Sequence, residues 1–213
     1  MILDFEAARR RMVDRQISRR GIHDPQVLEA MRTVPRERFV AEQARYEAYD
    51  DRPLPIGEGQ TISQPYVVAL MIEALELDPA DRVLEVGAGS GYAAAVLGQI
   101  ADEVLAMERH PSLAGAAAER MDELGYGNVR VVSGDGTLGW PEGAPFDAIL
   151  VSAGGNEVPP ALLEQLTEGG RLVIPVGDPK RDQELLCLAK EPGGRVTRSS
   201  LGRVQFVPLV GEG

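Results

Sequence analysis

Apolar positions recur at helical spacing along the first stretch of the chain: Phe5, Ala8, Met12 and Ile17, up to Gly21, a natural stop. Asp24 and Pro25 then supply an N-cap and a first-turn proline for a short helix carrying Val27, Leu28 and Met31, which ends before Pro35. Phe39 and Val40 mark another helical turn or two. Residues 46–60 interrupt the pattern with Pro53, Pro55, Gly57 and Gly59 and read as a packed, irregular loop near a site. Pro65 opens a helix over 65–77, and from there the pattern changes. Short apolar runs at 83–86, 104–107, 129–132, 148–151 and 172–174 alternate with helical stretches at 91–100, 111–124 and from Pro160 to the Gly169-Gly170 stop. Alternation at this spacing predicts βαβ units and a mostly parallel sheet, a doubly wound, Rossmann-like α/β fold. After Val176 the helical pattern runs out, and runs at 185–188 and 204–207 predict antiparallel closing strands. The chain then divides into an N-terminal helical and loop extension, residues 1–60, packed on a core of residues 61–213, as one structural unit.

Composition narrows the chemistry. A chain of 213 residues buries roughly 70% of its unfolded surface and needs no covalent staples. With 44% hydrophobic and 26% charged residues, whole-chain disorder is excluded. No apolar run approaches the roughly 20 residues of a membrane helix, and the arginine-rich opening lacks a signal-type apolar core. A cytoplasmic protein without a membrane partner is the expectation. The net charge of −11 disfavours nucleic acid as a partner. The best basic patch, Arg9, Arg10, Arg11, Arg15, Arg19 and Arg20, reads as a solvated helix face. Lys180 and Lys190 are the only lysines, and neither lies in a GxxxxGK[ST] phosphate loop. Cys187, the only cysteine, sits among leucines and reads as a buried strand thiol, so no intrachain disulfide and no Cys-rich zinc site can form, and no metal is expected. The only histidines, His23 and His110, accompany no GxSxG elbow, which points to chemistry without an imidazole.

In such sheets ligands bind beyond the carboxyl ends of the strands at the switch point. There stands Glu85-Val86-Gly87-Ala88-Gly89-Ser90-Gly91, where glycines allow a sharp turn and close backbone approach to a ligand. The dinucleotide fingerprint GxGxxG fails at Tyr92. GxGxG after an acid is the pattern of S-adenosylmethionine methyltransferases, whose cofactor has no pyrophosphate to cradle. Glu108 ends the second of the expected strands, where its two oxygens match the two vicinal ribose hydroxyls. Asp135, in Ser133-Gly134-Asp135-Gly136, follows the third, placed for the adenine amino group, with Gly136 leaving room for the ring.

Longer stretches carry a resemblance over nearly the whole chain. Met12-Val13-Asp14-Arg15-Gln16-Ile17, Val34-Pro35-Arg36-Glu37-Arg38-Phe39-Val40, the segment Leu54-Pro55-Ile56-Gly57-Glu58-Gly59-Gln60-Thr61-Ile62-Ser63-Gln64-Pro65 and the tail Phe206-Val207-Pro208-Leu209-Val210 are similar to landmarks of the protein-L-isoaspartate O-methyltransferase family. The resemblance implies methyl transfer from S-adenosyl-L-methionine to the carboxylate of isoaspartyl residues in proteins and peptides, with S-adenosyl-L-homocysteine as product. It implies that Ser63 is the active-site hydroxyl and that Gln60, Thr61 and Ile62 close over the cofactor. Val68 and Ser90 would line the site, Glu108 with Arg109 and Asp135 with Gly136 would hold the adenosine, and Val210 would border the pocket. Ser63 also reads as a helix N-cap before Pro65. Two departures stand out. Gly154-Gly155-Asn156 makes the loop after the fourth strand more flexible than an alanine- and proline-rich one, and Gln205 replaces a basic residue before Phe206. A methyltransferase for RNA or a small molecule would share GxGxG, Glu108 and Asp135 without the 54–65 segment, whereas a non-catalytic adenosylmethionine-binding module would keep the cofactor loop and lose turnover, with the altered loop at Gly154 to Asn156 as its support.

Overall fold

The computed structural model describes residues 4–178 and 181–212; Lys180 lies outside them. Helix α1 (Phe5–Met12) starts where Asp4 accepts the Ala7 amide at 2.9 Å. It runs on through a π-helical turn, Val13–Ile17, and a 3₁₀ turn, Ser18–Arg20, to Gly21 at φ 103°. Helix α2 (Pro25–Thr33) begins as the sequence indicates, with the Asp24 carboxylate accepting the amides of Gln26 and Val27 at 2.7 and 3.1 Å.

Residues 46–60 depart from the expected irregular loop. β1 (Leu54–Gly57) and β2 (Gln60–Ile62) pair as an antiparallel hairpin, and Gly57, Glu58 and Gly59 all take positive φ through its turn. Helix α3 (Pro65–Glu73) is shorter than expected, and its N-cap is Gln64, which makes no side-chain cap bond. Ser63 is therefore not the cap.

Next come β3 (Arg82–Val86), α4 (Tyr92–Leu97), β4 (Glu103–Glu108), α5 (Pro111–Leu124), β5 (Val129–Ser133) and β6 (Phe146–Val151). Helix α6 (Pro160–Gln165) stops short of Gly169-Gly170, because β7 (Leu166–Val176) already starts at Leu166 and pairs there with Phe146. β8 (Gln183–Lys190) and β9 (Val196–Val204) complete the sheet. The closing strand expected at 204–207 is displaced: β9 ends at Val204, and of the tail only Pro208 makes a bridge, to Gly154. β9 is the outer edge of the sheet and mostly exposed, so Thr197, Arg198, Ser199 and Ser200 carry no apolar alternation to read.

Among the described residues the main sheet has the order β5-β4-β3-β6-β7-β8-β9, parallel from β5 to β7 and antiparallel beyond. Strand side chains alternate between two cores. Leu84, Leu105, Ile149 and Leu172 share one face with Leu162 of α6. Val83, Val104, Leu150 and Val173 share the other with α3, α4 and the N-terminal residues Met12, Ile17 and Phe39. The extension thus packs into the same apolar cluster as the sheet. No helix of the described residues is long and apolar enough to cross a membrane.

Candidate active site

The chain runs outward from β3 through β4 to β5 and returns to β6 on the other side of β3. A crevice opens above the carboxyl ends of β3 and β6, the switch-point position of such sheets. The glycine loop fills its floor. The amides of Gly87 and Ala88 both bond to the Met107 carbonyl, at 2.8 and 3.0 Å, and Gly87 and Gly89 hold φ of 86° and 55°. A Cβ on Gly136 would sit 2.4 Å from Val86 Cγ1, so only glycine lets the loop after β5 lie against β3.

The resulting cleft measures 400 Å³ and is lined by Gln60, Thr61, Gly87, Gly89, Glu108, Arg109, His110, Gly136, Ser152 and Val210, among others. Glu108 is 5% exposed. Its Oε2 accepts the Gly89 amide and its Oε1 the His110 amide, both at 2.8 Å, which fixes the carboxylate and leaves each oxygen a second lone pair. A smaller cavity of 40 Å³ lies beneath the glycine loop, lined by Thr61, Ile62, Ser63, Val68, Glu85, Gly87, Gly89, Ser90 and Ser152, among others. A third groove of 660 Å³ takes in Thr61, Ser63, Gln64, Val67, Ser152, Gln205 and Phe206.

Most of the residues singled out in the sequence thus converge. Two serve differently. Gly91 lines none of these spaces; at φ 84° it precedes α4, and a Cβ there would meet Met121 Cε of α5 at 2.8 Å. Asp135 is taken up by its own loop and the C-terminal tail: Oδ1 accepts from the Thr137 amide and hydroxyl at 2.9 and 2.7 Å, and Oδ2 from the Glu212 amide at 2.7 Å. Partial burial works to raise its carboxyl, but these hydrogen bonds and Arg109 outweigh it and hold it below the usual range. Only Oδ2 keeps a free acceptor position for an incoming amino group.

The loop after β6 is tied down, contrary to the expected flexibility. Gly154 bonds to Val207 and Leu209, and Gly155 to Pro175 and Gly177. A Cβ on Gly154 would strike the Gln183 amide at 2.0 Å, so the glycine serves packing. Two residues escaped the sequence reading. Ser152 touches all three spaces and donates to Glu85 Oε1 at 3.1 Å; the strand-tip rule that selected Glu108 would have found it. Arg36, fully buried, donates to the carbonyls of Ala48 and Ser63, each at 2.7 Å, and stacks 4.7 Å from the Tyr92 ring. Burial presses its guanidinium below the ordinary arginine value. An unusual arginine inside a quoted landmark was the available signal. Cys187 is buried on β8, as expected. No cluster of three or more potential metal ligands occurs among the described residues.

A glycine-floored cleft at the switch point, with a buried carboxylate at the tip of the neighbouring strand and room where Gly136 stands, fits a nucleoside and defines an S-adenosylmethionine-dependent methyltransferase. The protein-L-isoaspartate(D-aspartate) O-methyltransferase family model matches residues 7–213. A protein-L-isoaspartate O-methyltransferase of Rhodopseudomonas palustris (strain ATCC BAA-98 / CGA009) is 58% identical over 200 residues, 94% of this chain and 92% of that protein. One of Protochlamydia amoebophila (strain UWE25) is 55% identical over 201 residues, 94% and 96% of the two chains. A solved Plasmodium falciparum structure, titled as a protein-L-isoaspartate O-methyltransferase in complex with S-adenosyl-L-homocysteine, superposes with a TM-score of 0.82 at 28% identity, covering 95% of this chain and 98% of that one. Another solved protein-L-isoaspartate O-methyltransferase has a TM-score of 0.85 and 32% identity; this chain spans 66% of its length. The chain belongs to the protein-L-isoaspartate(D-aspartate) O-methyltransferase family.

Proposed function

We propose that this chain methylates the free carboxylate of L-isoaspartyl residues in damaged proteins and peptides, using S-adenosyl-L-methionine, and so starts their repair through a succinimide. The observation that carries the reading is the meeting of the 400 Å³ cleft and the 660 Å³ groove at Thr61 and Ser152, with Ser63 facing the groove. When bound, the cofactor supplies a methyl group activated by positive sulfur. The isoaspartyl carboxylate is ionised at neutral pH and needs no general base. The protein's work is then positioning and water exclusion. Ser63 donates to one carboxylate oxygen and leaves the other to attack. That no protein group among the described residues takes up its hydroxyl supports this role. Glu108 receives the ribose hydroxyls, Asp135 and Gly136 border the adenine, Gln60, Thr61 and Ile62 cover the site from the hairpin, and Val68, Ser90, Arg109 and Val210 line it. The same reading includes a cytoplasmic site of action and no nucleic-acid or membrane partner; the net charge of −11 supports the exclusion of nucleic acid.

The test is repair itself. An isoaspartyl peptide incubated with protein and cofactor should yield succinimide and then some normal aspartyl peptide on chromatography. A peptide recovered unchanged, beside a protein that still binds S-adenosyl-L-homocysteine, would turn the assignment toward a binding module or another methyl acceptor.

A further inference from the structure

The 40 Å³ cavity shares Thr61 and Ser152 with both larger spaces, so it lies where reactants held in the two clefts must meet. Glu85 lines it. The residue is 1% exposed. Its Oε1 accepts from the Ser152 hydroxyl at 3.1 Å, while its Oε2 is buried without a hydrogen-bond partner. No cation lines the cavity among the described residues: α3 contributes Val68 and Met71, α4 Tyr92 and Ala93, and β6 Leu150. The charge acting on Glu85 is the Glu108 carboxylate; the buried Arg36, which donates to the Ser63 carbonyl and stacks on Tyr92, does not act on it.

We propose that Glu85 works as a neutral carboxylic acid, its Oε2 hydroxyl donating to the incoming isoaspartyl carboxylate beside Ser63, and is therefore a second catalytic donor, not a counter-ion for the cofactor. This rests on the isoaspartyl methyl transfer proposed above. In that transfer a carboxylate oxygen bonds to the methyl carbon while the sulfur–carbon bond breaks, its electron pair staying on sulfur. One negative and one positive charge cancel, and no proton moves. A neutral donor holds the carboxylate without adding charge, whereas an ionised Glu85 would repel it and favour the sulfonium before reaction. Burial pushes the Glu85 carboxyl up, Ser152 and the Ala94 amide pull it back, Glu108 adds to the push, and the balance stands at about 8. In the assembled complex the positive sulfur and the negative substrate act on it in opposite directions.

The decisive experiment is the pH profile of kcat/KM with isoaspartyl peptide, from about pH 6 to about pH 9, for the native protein and two variants. The native profile should be level up to about pH 8 and then fall about tenfold per pH unit. Glu85→Ala should lose about a hundredfold at neutral pH. Glu85→Gln, which keeps a neutral donor of the same shape, should recover all but about threefold of that loss and show no alkaline fall. An alkaline fall persisting in Glu85→Gln, or a loss of about tenfold or more in its calorimetric affinity for S-adenosyl-L-homocysteine, overturns the proposal. The native protein gives an independent readout. Calorimetry of S-adenosyl-L-homocysteine binding in neutral buffers of differing ionisation enthalpy should show almost no proton release, and release of about one proton overturns the neutral donor. Should the native protein fail to methylate isoaspartyl peptide, the functional reading falls while this proton count still judges Glu85.

Discussion

Ser63 offers a hydroxyl to the groove one residue ahead of the Gln64 cap of α3. Its removal therefore costs function and not helix stability. Ser63→Ala should lower kcat/KM by one to two orders of magnitude, the size of one lost hydrogen bond to a charged group of roughly 1.5–3 kcal/mol, with urea midpoint and cofactor affinity nearly unchanged. A loss of stability with normal turnover would return the residue to a structural role. Glu108 combines two duties, since it anchors the Gly89 and His110 amides as well as facing the cleft. Glu108→Ala should weaken S-adenosyl-L-homocysteine binding at least tenfold by calorimetry, because the ribose partner and the loop anchor go together; unchanged affinity in a folded variant would remove Glu108 from the site. Glu85 predicts a pH-dependent stability with a definite sign. Its folded carboxyl holds a proton up to about 8, whereas the unfolded chain releases it in the ordinary carboxylate range. Between those limits the Glu85 contribution to native stability falls as pH rises, by up to roughly 1.4 kcal/mol per pH unit, and that contribution is level outside them. The stability of Glu85→Gln relative to the native protein should therefore rise from about pH 5 to pH 8. Parallel urea midpoints across that window would contradict the burial account.

At the scale of elements, Arg36 ties the N-terminal extension to the start of α3 through the Ala48 and Ser63 carbonyls. Arg36→Met would leave both carbonyls unsatisfied, at about 1–3 kcal/mol each. It should lower the urea midpoint and raise KM for isoaspartyl peptide more than it lowers kcat; an unchanged KM would mean that the tie does not set the groove. What the sequence made legible follows from the same physics. Strands β3, β4 and β6 were readable because burial on both faces leaves apolar runs, and Asp24 because its cap is local. The β1–β2 hairpin was hidden by a turn whose Glu58 takes φ 51°, a conformation its residue type does not announce. The start of β7 at Leu166 was hidden because Gly169-Gly170 imitates a helix stop. β9 was missed because an exposed edge strand needs no apolar alternation. Within the site, Glu108, Glu85 and the glycines were legible as strand-tip chemistry. The Asp135 bond to the C-terminal tail and the burial of Arg36 depend on tertiary partners, Glu212 and Tyr92, far away in the chain.

Over the whole molecule, Met12, Ile17 and Phe39 share one apolar cluster with Val83, Val104 and Leu150. No separate core divides the extension from the sheet, so calorimetric unfolding should be a single transition, and two resolved transitions would contradict the shared core. The shared core also brings the groove, the glycine loop and Ser63 to one junction, and the central claim is that this junction methylates isoaspartyl carboxylates. The direct measurement gives the protein S-adenosyl-L-methionine labelled on the transferred methyl together with an isoaspartyl peptide or its normal aspartyl twin. Label should enter the isoaspartyl peptide as an alkali-labile ester at least about a hundredfold faster than the twin, the selectivity expected where binding is matched to one geometry of carboxylate. Equal labelling of the two peptides, or none in either, would contradict the account.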